Sequence, residues 1–539
     1  WSIDAVMKNK STTIFGNIVA LDESPLKENL LYVGTDDGLV QVSDNSGSSW
    51  NKYSSFPGVP AMTYVNMLKA SKHNAETVFA AFNNHKKGDF KPYLLKSNDK
   101  GKTWASIVGN LPEKGAVYSI EQDHVNPNIL FAGTEFGVYV TLNGGKEWTQ
   151  LKAGLPTVAI RDMEIQKREN DLVLGTFGRS FYVLDDYSAL RELADEKLLD
   201  KRFHVFNIKK QLMFNTKNPL GYRGKNAQGE MYYAADNPTL GSVISYYFSD
   251  TLKTAQETRR ANEKTTDDDS YPTKAEIKNE AHEEKAFLLF VIKDETGDEI
   301  QKIKTDATVG LKKVVWNFRY APTGPIKLKT KKVGRYGSED VGQLALPGKY
   351  SVTPYLRNNG KMEKLAEAKA FEVELLNNTT LPATDKKALL AFQKEVAELR
   401  RSVDGSERLL GEIKNRLKHI KVAIETTPNV AINLLSKVTE LETKINTTEI
   451  ALWGDNDINK HEYEVYPGLS ERVGIVIYGL WNSTSAPTKT ALNNIKIATE
   501  EYVPVLAAIQ GYVTNISDLE KEIGTTPYTP GRGKEWKEE

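Results

Sequence analysis

The octapeptide Ser97-Asn98-Asp99-Lys100-Gly101-Lys102-Thr103-Trp104 decides how the first third of this chain is read, because the pattern occurs three times. Its companions are Ser43-Asp44-Asn45-Ser46-Gly47-Ser48-Ser49-Trp50 and Thr141-Leu142-Asn143-Gly144-Gly145-Lys146-Glu147-Trp148. Each reads as a β-hairpin turn in which a short polar side chain (Ser43, Asn45, Ser97, Asp99, Thr141, Asn143) accepts backbone N–H bonds. The glycine (Gly47, Gly101, Gly145) supplies the positive φ that a Cβ disfavours, and Trp50, Trp104 or Trp148 packs under the turn. Starts at 43, 97 and 141 give spacings of 54 and 44 residues. Strand-like runs repeat with them, as in Leu31-Tyr32-Val33-Gly34-Thr35 and Leu130-Phe131-Ala132-Gly133-Thr134. This periodicity predicts propeller blades at 14–55, 60–109 and 115–152, with a partial blade at 157–186. Propellers close with about 4 to 8 blades. The expectation is therefore a partial β-propeller, 1–186, whose remaining blades, an N-terminal half, lie upstream or on a second chain.

Outward from the blades, residues 187–202 read as a linker helix. Residues 203–378 read as a β-sandwich of immunoglobulin type, because six to eight short strands alternate with turns such as Asp294-Glu295-Thr296-Gly297. A run at 251–285 rich in Lys, Glu, Asp and Thr interrupts it as a solvated or partly helical insertion. At 379–525 the period lengthens to about 3.6, with Leu389, Phe392, Val396, Leu399 and Val403 on one face. This predicts an antiparallel helical bundle in which Pro504 kinks the last helix. A Pro/Gly-rich tail, 526–539, reads as extended. The fold class is mainly β with an α tail.

Bulk properties narrow the function. Lys+Arg and Asp+Glu each number 71, so no net field draws in a polyanion, and nucleic acid is not an expected partner. No cysteine is present, which excludes disulfides and thiolate chemistry. The apolar run Val473 to Trp481 is about half the ~20 residues a membrane-spanning helix needs, so no transmembrane segment is expected. The chain begins at Trp1 without a charged-then-apolar leader, so any signal peptide is expected to have been removed or to lie upstream.

The three octapeptides resemble the Asp box of sialidases and sortilin-type propellers; the second fits fully, while Asn45, Asn143 and Glu147 depart from it. The order of parts resembles a family of exported bacterial proteins, common in Bacteroidota and labelled glycosyl hydrolase, BNR repeat, with a sortilin/VPS10-like propeller. The matching stretches include Gly175-Thr176-Phe177-Gly178-Arg179-Ser180-Phe181, Trp316-Asn317-Phe318-Arg319-Tyr320, Leu346-Pro347-Gly348-Lys349-Tyr350 and Tyr528-Thr529-Pro530-Gly531-Arg532. The middle domain looks like the FlgD-type immunoglobulin-like module. The resemblance implies export to the periplasm or cell surface of a Gram-negative bacterium and a missing propeller half. It does not imply hydrolysis, since Asp boxes lie on blade peripheries.

No catalytic set emerges from the residues. A sialidase-like centre needs three arginines from different blades, whereas Arg161, Arg168 and Arg179 all fall in the last partial blade. Arg161 and Arg179 are candidates to line the channel, with an ion pair to Asp162 or Asp185 the favoured role for Arg179. Asp36-Asp37 and Asp185-Asp186 read as turn residues. The seven histidines are scattered without i,i+4 spacing, and Asp267-Asp268-Asp269 lacks EF-hand spacing, so neither a metal nor a cofactor is expected. Asp250-Thr251-Leu252 resembles a short acceptor motif for O-glycosylation at Thr251. Three functional readings follow. The first is a non-catalytic exported scaffold binding a protein, peptide or glycan. The second is a glycoside hydrolase or peptidase with its catalytic residues in the missing N-terminal blades. The third is an accessory subunit of an outer-membrane complex.

Overall fold

Four antiparallel sheets follow one another along the first part of the chain, each a meander in which strand order equals chain order. Blade one comprises β1 (Ile18–Glu23), β2 (Leu31–Thr35), β3 (Val40–Ser43) and β4 (Asn51–Tyr53). Blade two comprises β5 (Tyr64–Ala70), β6 (Val78–Asn83), β7 (Tyr93–Ser97) and β8 (Ala105–Ser106). Blade three comprises β9 (Val117–Gln122), β10 (Leu130–Thr134), β11 (Gly137–Thr141) and β12 (Thr149–Leu151). Blade four has three strands, β13 (Ile160–Gln166), β14 (Asp171–Thr176) and β15 (Phe181–Leu184). The first strands β1, β5, β9 and β13 pack side by side in that order, which is the radial arrangement of a propeller.

This computed structural model describes residues 16–152, 154–214, 235–265, 271–326, 328, 341–376 and 381–524. The Asp267–Asp269 run, the 526–539 tail and its Tyr528–Arg532 motif lie outside them. The chain divides into two units, Trp1–Asn207 with Tyr247–Asp250, and Ile208–Tyr246 with Thr251–Glu539.

In the first unit a separate apolar core fills each gap between neighbouring blades. Tyr32, Val42, Val65 and Phe82 meet between blades one and two. Phe79, Leu94, Ile120 and Trp148 meet between two and three, and Phe131, Ile160, Met163 and Leu174 between three and four. The repeated glycine of the second strands sits where blades come closest. A Cβ on Gly34 would lie 2.4 Å from Val65 Cγ1, and one on Gly133 would lie 2.2 Å from Ser119 Oγ and 2.8 Å from the Ile160 carbonyl. Among the described residues no further strand pairs or packs on the two end faces. Alternation along a strand turns Ala20 inward and Leu21 outward, and Ile18 and Leu21 are each 66% exposed. On blade four Tyr182 and Leu184 face the core, while Phe181 is 69% exposed.

After blade four the chain turns back. Helix α1 (Ala189–Leu193) buries Ala189 and Leu190 and places Arg191 on Asp123, with Nε at 3.0 Å and Nη2 at 2.7 Å. The Tyr187 hydroxyl donates to the same carboxylate at 2.6 Å. The segment read as a linker is thus latched to blade three. Strand β16 (Phe203–Val205) follows, and the Arg202 carbonyl accepts from Ser249 N at 3.0 Å.

The second unit holds β17 (Gln211–Met213), β18 (Ser242–Phe248) as far as Tyr246, β19 (Phe287–Asp294), β20 (Glu299–Asp306), β21 (Gly310–Trp316), β22 (Gly348–Asn358), β23 (Lys361–Lys364) and β24 (Lys369–Leu375). One sheet runs β17-β24-β22-β19-β20, with β23 also on β22, and β18 pairs with β21 in another. Aromatic rings fill the space between them: Trp316 lies 4.7 Å from Tyr350 and 6.0 Å from Phe371, and Tyr246 lies 5.0 Å from Phe290. The charged insertion forms α2 (Ala255–Glu263) and α3 (Lys274–His282), each started by a reciprocal Thr–Glu cap, Thr254 with Glu257 and Thr273 with Glu276. Neither helix buries a residue, and Arg259 ties them through Glu280 at 2.6 and 2.9 Å.

The apolar stripe beginning at Leu389 builds α4 (Lys386–Thr426), which packs with α5 (Leu434–Trp453), α7 (Leu469–Leu480) and α8 (Lys489–Ile523), and the short α6 (Asn456–Asn459) lies between α5 and α7 in the chain and buries no residue. Asp385 and Thr488 cap α4 and α8. Buried hydroxyls are satisfied across the core, Ser406 with Tyr502 and Thr448 with Tyr512, both at 2.8 Å. Arg319, shortly after β21, donates to the Gly342 and Trp481 carbonyls at 3.0 and 2.8 Å and so joins the two-sheet region to the helices.

Candidate functional site

The blade architecture concentrates irregular backbone at one place. The first strand of every blade carries a β-bulge where it pairs with the second, skipping Val19, Asn66, Tyr118 and Arg161. A bulge inserts one residue and re-aims its side chain away from the alternating faces. Three of these four, Asn66, Tyr118 and Arg161, converge at one site. Asn66 Nδ2 donates to the Tyr118 carbonyl at 2.5 Å, and the Arg161 guanidinium lies 3.8 Å from the centre of the Tyr118 ring. The Phe177 ring flanks the guanidinium at 5.0 Å.

A cavity of about 390 Å3 opens here, lined by Asn66 and Arg161 with Asp36, Met62, Tyr64, Asn83, Asn84 and the His85–Lys87 turn. Arg161 Nε is buried and has no hydrogen-bond partner among the described residues. The carboxylates around it are engaged. Asp36 accepts from Asn17 N at 2.8 Å and Asn17 Nδ2 at 3.2 Å, and Glu135 accepts from the Tyr118 hydroxyl. Burial, and then the Glu135 bond, push the Tyr118 phenol up to about 12. His85 Nδ1 meets Asn83 Oδ1 at 2.6 Å; burial first, then the Arg161 charge, lowers its pKa and favours neutral imidazole. Lys86 reaches over the Tyr64 ring at 5.6 Å, and Lys87 caps the Ala61 and Met62 carbonyls at 3.2 Å. The cavity thus offers a guanidinium held by two rings, two ammonium groups and several amides.

Further along the same strands lies a charge ladder. Glu121, fully buried, bonds Lys72 and lies 2.9 Å from Lys69, which also reaches Glu164 on β13 at 3.3 Å. Asp22 on β1 accepts from Ala70 N at 2.6 Å, and burial raises its pKa.

The octapeptides lie elsewhere, between the third and fourth strands of blades one to three. Ser97 Oγ accepts from Gly101 N at 2.8 Å, Asp99 Oδ1 accepts from Thr103 N at 2.8 Å, and Trp104 Nε1 donates to the Gly101 carbonyl at 2.9 Å. Ser43, Asn45, Gly47, Ser49 and Trp50 repeat this set, the amide oxygen of Asn45 standing in for the carboxylate. Thr141, Asn143, Gly145 and Glu147 repeat its backbone part. Trp50 and Trp104 pack against the glycines of their own turns, as expected, and Trp148 does not. Trp50 is 40% exposed, whereas Trp148 is 4% exposed and donates to the Ile107 carbonyl of blade two at 2.9 Å. In the third turn Ile107 occupies the space over Gly145 that the indole fills over Gly47 and Gly101.

Of the two candidate channel residues, the structure brings Arg161 into the cavity and leaves Arg179 exposed in the β14–β15 turn. Among the described residues no ion pair joins Arg179 to Asp162, and Arg168 is 81% exposed and pairs with its neighbour Glu169. Asp37 accepts from Thr35 and Asp186 from Ser188, both as turn acceptors. Thr251 is exposed. Among the described residues no group of three or more His, Asp or Glu could hold a metal ion, and no helix is long and apolar enough to cross a membrane. The reading from sequence missed Tyr64, Asn66, Asn83, His85 and Tyr118.

Fold and site together define a propeller segment with a polar cavity at the bulged first strands, followed by a two-sheet domain and a helical bundle. No family model and no curated protein matches the chain. Among solved structures it is similar to YCF48 bound to D1 peptide, at 13% identity over 32% of this chain and 53% of that one, TM-score 0.26. It is similar also to YCF48 from Cyanidioschyzon merolae, at 18% identity over 32% and 53%, TM-score 0.25. A third is a GH74 xyloglucanase from Xanthomonas campestris, at 16% identity over 34% and 31%, TM-score 0.27. The chain spans about half the length of the first two and about a third of the third. The propeller arrangement stands on strand order and blade packing in this chain itself.

Proposed function

We propose that the chain is a non-catalytic scaffold that binds an anionic segment of a protein, peptide or glycan at the cavity of the bulged strands. One observation carries this reading: Arg161 is held by Tyr118 and Phe177 with a buried Nε that no group of the described residues satisfies. A buried donor without an acceptor costs about 1–3 kcal/mol, and an acidic ligand would recover it through a charge-assisted bond. Lys86 and Lys87 add to the field, and Asp36 and Glu135 are already committed to Asn17 and Tyr118. The test is anisotropy of a fluorescein-labelled Glu/Asp-rich peptide beside its Gln/Asn counterpart. The acidic peptide should bind, Arg161→Ala should weaken it by about tenfold or more, and Arg179→Ala should leave it unchanged. Equal binding of both peptides, or indifference to Arg161→Ala, would remove the reading.

The scaffold reading includes further blades, in the same polypeptide or on another chain, covering the end faces of blades one and four. It also includes export to the periplasm or cell surface and glycosylation at Thr251; intact mass of native protein without added sugar would dispose of the last.

A further inference from the structure

The helical bundle carries a second cavity that the proposed function leaves idle. It is a groove of about 890 Å3 between the end of α5, the loop leading to α7, and the middle of α8. Its lining is largely apolar: Ile450, Ile458, Ile497, Pro504 and Val505, with Tyr466 standing 90% exposed at the rim. Ile450 and Ile458 are themselves 48% and 44% exposed. Pro504 has no N–H to give the Glu500 carbonyl, so α8 is interrupted on this side.

The charged groups in the groove are unbalanced. Asp455, Glu464 and Glu501 oppose a single guanidinium, Arg472. Arg472 is mostly buried, its Nε has no hydrogen-bond partner among the described residues, and Glu501 sits 3.7 Å away. Glu464 makes no salt bridge among the described residues, and Asp455 is occupied with the N–H groups of Asp457 and Ile458. Three carboxylates against one guanidinium leave two negative charges around apolar surface of a kind that exposed helices rarely keep without a partner.

We propose that this groove docks an amphipathic, basic segment of a partner protein, its aliphatic or aromatic side chains filling the floor and its Lys or Arg residues meeting Glu464 and Asp455. The volume is that of a pocket for several side chains, and helix-in-groove docking matches an apolar floor with a charged rim. A second copy of this chain would bring carboxylates against carboxylates, which opposes association.

The probe is a labelled helical peptide of Leu at every third or fourth position with Lys elsewhere, compared with its Leu/Gln counterpart, titrated against the full chain. The Lys peptide should bind and the Gln peptide should not. Glu464→Lys should weaken the Lys peptide about fivefold, as loss of a rim ion pair does. Ile497→Ser should weaken it by a similar factor. Tyr478→Ser, exposed on α7 outside the groove, should change nothing, and circular dichroism checks that each variant folds. Binding of both peptides alike, binding of neither, or sedimentation showing a dimer that Ile497→Ser dissolves each overturns the proposal. None bears on Arg161, so this inference and the anionic-ligand reading fail separately.

Discussion

At the scale of single residues, two positions show how closely the first unit is fitted. Gly133 is where a Cβ would strike Ser119 and Ile160, so Gly133→Val should cost about 3 kcal/mol or more through overpacking. Urea unfolding followed by tryptophan fluorescence measures this, and an unchanged midpoint would contradict the blade contact. Asp123 is the other. Burial alone would raise its pKa, but bonds from Arg191 and Tyr187 outweigh it and hold the carboxyl at about 2, below the ordinary 3.8. A depressed carboxyl contributes stability that is complete above its unfolded pKa and lost as pH falls through the folded one. The stability gap between the protein and Asp123→Asn should therefore be roughly 2 kcal/mol at neutral pH and shrink as pH falls from about 4 to about 2. Thermal unfolding across that window would show it. Sequence offered no sign of this latch, because nothing in Glu121-Gln122-Asp123-His124 points to partners far along the chain. In the fold Glu121, Gln122 and Asp123 are all buried, each answered by partners some fifty or more residues away.

At the scale of elements, legibility tracked periodicity. Helices α4, α5, α7 and α8 follow the 3.6-residue stripe, and Thr254-x-x-Glu257 and Thr273-x-x-Glu276 mark helix starts inside the charged insertion. The octapeptides announced hairpins because hydroxyl, carboxylate and glycine each meet a specific backbone need. Ser97→Ala should remove the acceptor of Gly101 N and cost about 1–2 kcal/mol, whereas Ser97→Thr, the residue found at 141, should retain most of it. The cavity was hidden for the opposite reason. A two-residue alternation assigns Asn66, Tyr118 and Arg161 to ordinary strand faces, and a bulge breaks that alternation without leaving a turn residue behind. Arg161 was noticed as a rare arginine among the blades, but nothing in the order of residues paired it with Tyr118 rather than with a neighbouring aspartate.

At the scale of the whole molecule, the first unit ends in surfaces that its own packing rule would cover. Between neighbouring blades the equivalents of Leu21 and Phe181 are core residues, yet these two remain 66% and 69% exposed. The chain alone should self-associate as its concentration rises, and Leu21→Lys with Phe181→Lys should keep it monomeric with an unchanged circular dichroism spectrum. Sedimentation velocity decides; a wild-type chain that stays monomeric throughout would count against further blades.

The bulges have a further consequence. Three of the four each contribute one side chain to a common mouth while the flanking residues keep the ladder intact. Positions 66, 118 and 161 can therefore be exchanged over evolutionary time, or randomised together in a library, with specificity drifting while the architecture is inherited unchanged.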